Sequence, residues 1–176
     1  MSEKYKMYEG GVFFVTLTTV GWIDVFTRSE YCDEIINNLN YCISNKGLEV
    51  YCYCIMPSHI HMIASTKTGT LGDILRDFKS FTSKKIIKMI SESQTESRKE
   101  WLLYMFEYFG KRQKHNQKYQ FWKQSNHPID LLSNYFIDQK IDYIHDNPVK
   151  ARIVDEAHNY VYSSAYEFNE LLMESV

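Results

Sequence analysis

The sequence has no Gly-x-x-x-x-Gly-Lys loop, no Cys-x-x-Cys pair and no apolar run that approaches the length of a membrane span. The first absence excludes a P-loop nucleotide engine. The second argues against a zinc ribbon. The third, with a polar opening M-S-E-K-Y-K-M-Y-E-G-G, excludes a membrane-spanning helix and points to a cytoplasmic protein. In that compartment Cys32, Cys42, Cys52 and Cys54 are expected to stay reduced. No histidine begins a His-x-Thr/Ser motif, so a two-histidine phosphoesterase is disfavoured. There is no internal repeat and no linker that would divide the chain, so residues 1–176 are expected to form one domain.

Strong positive charge is also missing. The net charge is −2, which argues against a protein that coats duplex nucleic acid. The distribution says more. Residues 76–118 hold eleven Lys/Arg against five Asp/Glu, net +6, between flanks of net −3 and net −5. A local basic groove suffices to grip a short single strand. Aromatic residues are abundant at 15%, with fourteen tyrosines. A tyrosine is therefore singled out only by its context.

The periodicity predicts a β-α-β-β-α-β-α order with additional helices. Gly10–Val20 reads as a first strand, Arg28–Asn45 as a helix stopped by Gly47, and Glu49–Met56 and His59–Ser65 as a hairpin turning at Pro57-Ser58. A second helix runs from Thr70 to about Ser91, opened by the Thr70-x-x-Asp73 capping box, with Phe78 and Phe81 expected in the core. Glu100–Phe109 reads as a helix, Tyr119–Ile129 as strand four, and Ser133–Asn147 as a last helix ended by Pro148. The fold class is α+β: a split βαβ, ferredoxin-like sandwich with an antiparallel sheet and appended C-terminal helices.

Two segments carry the chemistry. His59 and His61 lie two apart in a strand, so both imidazoles face the same way, a ready pair of metal ligands. Cys52 and Cys54 could complete a Cys-Cys-His-His zinc site instead, although the hairpin turn lies between the two pairs. Farther on, Ile137, Ile141 and Ile144 form an apolar helical stripe. Phe136, Lys140, Tyr143 and Asn147 fall together about a quarter-turn away, which places Tyr143 at the border of the buried face. Asn147 precedes a proline and could simply cap the helix; Lys140 shares the face of Tyr143 and could contact a nucleic-acid phosphate or be solvated. Lysines and an arginine on the second helix, Arg76, Lys79, Lys84, Lys85 and Lys88, with the basic run 111–118, are candidates for nucleic-acid backbone contacts. Trp122, His127, His145 and His158 show no partner in the sequence.

M-P-S-H-I-H-M-I (56–63), F-W-K-Q-S-N-H-P-I (121–129), Y-I-H-D-N-P-V-K-A (143–151) and Y-V-Y-S-S-A (160–165), with the opening G-G-V-F-F-V-T (10–16), resemble the single-tyrosine HUH transposases. More narrowly, they resemble the REP-associated tyrosine transposases, over nearly the whole chain. The resemblance implies the same antiparallel sheet and a metal-dependent enzyme that cuts and rejoins single-stranded DNA through a 5′-phosphotyrosine. Tyr143 would be the nucleophile, and His59, His61 and Asn147 the ligands of Mg²⁺ or Mn²⁺. Hairpin-forming single-stranded DNA would be the partner, and relatives include monomers and homodimers. The chain departs from the family in N-H-P-I-D-L after the Phe-Trp pair, which bears on DNA specificity, and its acidic C-terminal part lacks the basic tail that would suggest strong duplex binding. A non-catalytic DNA-binding protein descended from a transposase is the competing expectation.

Overall fold

The computed structural model describes residues 7–113 and 118–174. The elements run β1 (Phe13–Thr18), α1 (Ser29–Lys46), β2 (Leu48–Met56), β3 (His59–Thr66), α2 (Leu71–Glu92), α3 (Lys99–Lys111), β4 (Ile129–Asp130) and α4 (Asn134–Lys150). The sheet order is β2-β3-β1-β4, and its β1–β3, β1–β4 and β2–β3 pairs are all antiparallel. Both βαβ units are therefore split: β3 separates β1 from β2, and β1 separates β3 from β4.

Side-chain alternation divides the sheet into two faces. Phe13, Val15 and Leu17 of β1 join Ile60, Met62 and Ala64 of β3 beneath α1, α2 and α3 in the larger core. Phe14 and Ile63 face the other side, where α4 covers them with Ile137, Ile141 and Ile144. In β2 the alternation skips a residue. Val50 pairs with Ala64 but Cys52 with Ile63, so Tyr51 is bulged. The bulge turns Cys52, Cys54 and Met56 toward α4.

Local signals account for the helix ends. Gly47 takes a left-handed conformation (φ 72°) to stop α1, and its N–H donates to the Cys42 carbonyl. The Thr70 hydroxyl accepts from the Asp73 N–H at 3.3 Å to start α2.

Three expectations are corrected. Strand four is only Ile129–Asp130. Residues 121–126 still follow β1 through Val20 N–H to the Phe121 carbonyl, Lys123 N–H to the Thr18 carbonyl and Thr16 N–H to the Asn126 carbonyl. His127 then adopts a positive φ of 43° and Pro128 has no N–H to donate, so the ladder is interrupted there and resumes only at Ile129–Asp130. Next, α4 runs through Pro148 to Lys150. The ring removes the N–H that would have bonded the Ile144 carbonyl, but the helix closes beyond it, with the Ala151 N–H reaching the Asn147 carbonyl at 2.9 Å. Finally, Phe78 is buried but Phe81 is 57% exposed.

The C-terminal segment guards the outer edge of β2. Ile55 N–H donates to the Tyr162 carbonyl and Ser164 N–H to the Tyr53 carbonyl, which satisfies an edge that would otherwise be open to other chains. Among the described residues no helix is long and apolar enough to cross a membrane.

Candidate active site

The β2–β3 turn is held before the histidines begin. Fully buried Thr19 donates its hydroxyl toward the Ser58 carbonyl (2.9 Å) and the Ile23 carbonyl (2.8 Å), and Phe26 N–H bonds the Pro57 carbonyl. His59 and His61 then stand side by side on the α4 face, ring centroids 4.7 Å apart.

Each imidazole is oriented by a hydroxyl. Thr16, directly across the ladder from His61, places its Oγ1 2.9 Å from His61 Nδ1. Ser58 Oγ lies 3.2 Å from His59 Nδ1. These hydroxyls engage Nδ1 in each ring, so Nε2 is the atom of each that could ligate a cation. Burial, then the charge of Lys123, lowers His59 to about 4. Burial, then His59 and Lys140, lowers His61 to about 3. Both rings are therefore neutral at physiological pH, the protonation state that a metal requires. Among the described residues there is no group of three or more His, Cys, Asp or Glu side chains able to hold a metal. A cation at the two imidazoles would therefore need amide or phosphate oxygens as well.

Helix α4 carries the phenol to this pair. Ile144 is fully buried while Tyr143, one position earlier, is 40% exposed, as expected for a residue at the border of the apolar stripe. The Tyr143 ring lies 5.3 Å from the His61 ring, in the same chain. Phe14 forms the floor, stacked on His61 at 5.4 Å and edge-on to Tyr143 at 5.8 Å. The Lys140 ammonium sits 4.6 Å from the Phe14 centroid and 5.1 Å from that of Tyr143. Asn147 lies one turn beyond Tyr143, and its Nδ2 donates to the Tyr143 carbonyl at 2.9 Å. Among the described residues no hydrogen bond joins Asn147 to either imidazole. Cys52 and Cys54 are buried free thiols under α4.

The family model described as IS200-like transposase matches residues 23–147, from just after β1 to Asn147. The chain belongs to the IS200-like transposases. That family is one of DNA-processing enzymes, and the matched span contains His59, His61, Tyr143 and Asn147. Among solved structures, a REP-associated tyrosine transposase bound to a REP hairpin is similar in fold. It has a TM-score of 0.64 at 15% identity, over 93% of this chain and 82% of that one. A protein described as a candidate transposase from Deinococcus radiodurans R1 matches with a TM-score of 0.43 and 16% identity, over 82% of this chain and 96% of that one. No curated protein matches the chain. For an IS200-like transposase, the site takes in more than the histidine pair, Tyr143 and Asn147. Phe14 and Thr16 lie in the G-G-V-F-F-V-T opening, where nothing in the sequence marked them as neighbours of His61. His145, without a visible partner in the sequence, places Nε2 2.8 Å from Ser164 Oγ and 3.4 Å from Cys52 Sγ, tying α4 to β2 and to the Y-V-Y-S-S-A segment.

The basic residues do not share one fate. Arg76, Lys79, Lys84, Lys88, Lys118 and Lys123 line a groove of about 1400 Å³ between α2 and residues 118–126. Arg76 is already paired with Asp73 and Asp77. Lys85 is exposed but does not line the groove. Lys114 and His115 of the basic run lie outside the described residues.

Lys79 is engaged internally. Its ammonium donates to the Lys123 carbonyl (2.6 Å), the Gln124 carbonyl (3.0 Å) and Asn126 Oδ1 (2.7 Å). Lys79→Met keeps the stem but leaves three acceptors without their donor. It is expected to cost about 1–3 kcal/mol of stability, read as a lower thermal midpoint. An unchanged midpoint would show that the clamp contributes nothing.

Proposed function

We propose that this chain cuts and rejoins single-stranded DNA through a covalent 5′-phosphotyrosine on Tyr143, aided by Mg²⁺ or Mn²⁺. The observation that carries this reading is the approach of an exposed phenol to two neutral, hydroxyl-oriented imidazoles within one chain. His59 and His61 would hold the cation through Nε2. Asn147 is the third candidate, because its Nδ2 is taken by the helix and Oδ1 remains available. Bound there, the cation would polarise a phosphate oxygen and offset the charge that builds in the transition state.

The rest is the work of the protein's own groups. Only about 0.1% of an ordinary phenol is ionised at pH 7, so the site must favour attack by the Tyr143 oxygen. Lys140 is placed to do so, its ammonium over the Tyr143 ring and near any phosphate that reaches it. As the Tyr143 oxygen bonds to phosphorus, the bond to the 3′ oxygen breaks. The phenol loses a proton, the leaving 3′ oxygen gains one, and one diester replaces another. No nucleotide hydrolysis is required, and attack by a second 3′-OH reverses the step. The groove beside α2 supplies a single-strand or hairpin partner with cations. The solved relative, captured with a REP hairpin, supports DNA of that kind. All the proposed groups come from one chain, so a homodimer is not needed to complete the site.

The test is 3′-end-labelled hairpin DNA with single-stranded flanks, incubated with the protein and Mg²⁺ or Mn²⁺ and run on a denaturing gel. A protein-linked label is expected. Bound hairpin without any adduct would leave a DNA-binding protein instead. A second measurement addresses the metal. Thr16→Val removes the hydroxyl that orients His61 and is expected to weaken Mn²⁺ binding about 10–100-fold by calorimetry. Wild-type affinity in that variant would separate the Thr16 contact from metal binding.

A further inference from the structure

Trp22 has no evident structural reason for its position. It is 57% exposed, large and apolar. Its backbone has φ 56°, a conformation that residues with a side chain rarely adopt and that gathers at functional sites. The turn that imposes this is rigid. Thr19 ties it to Ser58 and Ile23. Gly21, itself at φ 62°, lies so close to the Phe109 ring that a Cβ there would fall 2.7 Å from it.

The indole stands edge-on to His59, with ring centroids 5.4 Å apart. The four rings thus form a row, Tyr143–His61–His59–Trp22, with successive separations of 5.3, 4.7 and 5.4 Å. The Lys123 ammonium lies 4.3 Å from the Trp22 ring centroid, and Lys123 also lines the basic groove beside α2. The exposed indole and its lysine therefore connect that groove to the histidine pair.

We infer that Trp22 is a stacking platform for the base of the nucleotide that leaves with the 3′-OH, and that Lys123 contacts the phosphate flanking it. The inference rests on the proposed role of Tyr143. In-line displacement sets nucleophile and leaving oxygen on opposite sides of phosphorus. With Tyr143 at one end of the row and the phosphate at the histidines, the departing nucleotide lies toward Trp22. An aromatic face accepts any base, and the neighbouring cation favours the backbone. Trp22 is thus a positioning residue: it holds the strand, while Tyr143 breaks it.

The experiment uses hairpin DNA with single-stranded flanks, carrying one 2-aminopurine moved stepwise along the flank. Binding is measured on Tyr143→Phe protein so that no strand is cut, and the cleavage position is mapped separately with wild type. The base immediately 5′ of the cut should be quenched on binding. Trp22→Gly, which removes the ring and relieves the positive φ, should abolish that quench. It should also weaken binding roughly tenfold without lowering the thermal midpoint or changing the salt dependence. Trp22→Phe should keep part of the quench. An abasic nucleotide at that position should make wild-type and Trp22→Gly affinities equal. Wild-type quenching and affinity in Trp22→Gly overturn the platform, and quenching only on the 3′ side of the cut overturns its placement. If no adduct ever forms but one base still stacks in a Trp22-dependent way, the strand-transfer reading fails and the platform stands.

Discussion

Tyr143→Phe is expected to abolish the covalent adduct and DNA cleavage while leaving the fold and DNA affinity unchanged. The substitution keeps the ring that packs edge-on against Phe14 and His61. It removes one oxygen, which has no hydrogen-bond partner among the described residues and belongs to a side chain that is 40% exposed. A stability change within about 0.5 kcal/mol is expected. The chemical step loses its nucleophile, so cleavage should fall on the order of 10⁴-fold or more. The measurement is the denaturing gel with labelled hairpin. An adduct that survives in Tyr143→Phe would assign the bond to another of the fourteen tyrosines.

His61→Ala should be as damaging to cleavage by a different route. His61 is 5% exposed, stacked on Phe14 and bonded to Thr16. Removing it deletes one of the two imidazole donors, a larger loss than the about 10–100-fold that follows from disturbing an outer partner. Calorimetry should show no Mn²⁺ binding in the range where wild type binds, and the gel no adduct. Single-strand affinity should hold, because it comes from cations and stacking outside the histidine pair. The variant also leaves a small void and an unpaired Thr16 hydroxyl, at a cost of roughly 1–3 kcal/mol. His61→Gln fills that space with a group that can still bond Thr16, and it separates metal loss from unfolding. Full Mn²⁺ affinity in folded His61→Ala would sink the metal assignment.

The two predictions rest on features of very different legibility. That His59 and His61 share a face follows from the two-residue period of a strand. That Tyr143 stands beside an isoleucine stripe follows from the helical period, and Ile144 confirms the geometry by being fully buried. The distance between the two motifs could not be read in the same way. They lie more than eighty residues apart, and only the packing of α4 on β2 and β3 brings the phenol to the imidazoles.

Local signals also misled where a distant partner intervened. Lys79 reads as a lysine available for nucleic-acid backbone contact, yet three acceptors 44 to 47 residues away hold its ammonium. His145 finds Ser164, nineteen residues on, and Cys52, 93 residues back. Phe81 has the spacing of a core residue but lies where no neighbouring element covers it, so it is exposed. Pro148 carries a stop signal, yet the helix runs through it to Lys150, because bonds made beyond it, Ala151 N–H to the Asn147 carbonyl and Ile153 N–H to the Pro148 carbonyl, close the last turn.

By itself, then, the sequence determined the first three strands, the helices apart from the end of α4, the same-face histidines and the border position of Tyr143. Each depends on a repeat of two or 3.6 residues or on a cap a few residues long. Tertiary structure alone decided that His61 and Tyr143 meet within one chain, that Thr16 and Ser58 orient the imidazoles, and that Trp22 with Lys123 extends the row beyond His59. Those depend on which surfaces come into contact when the sheet closes between its helices, and hydrophobic burial is non-directional: it drives the closure without specifying which polar groups end up as neighbours.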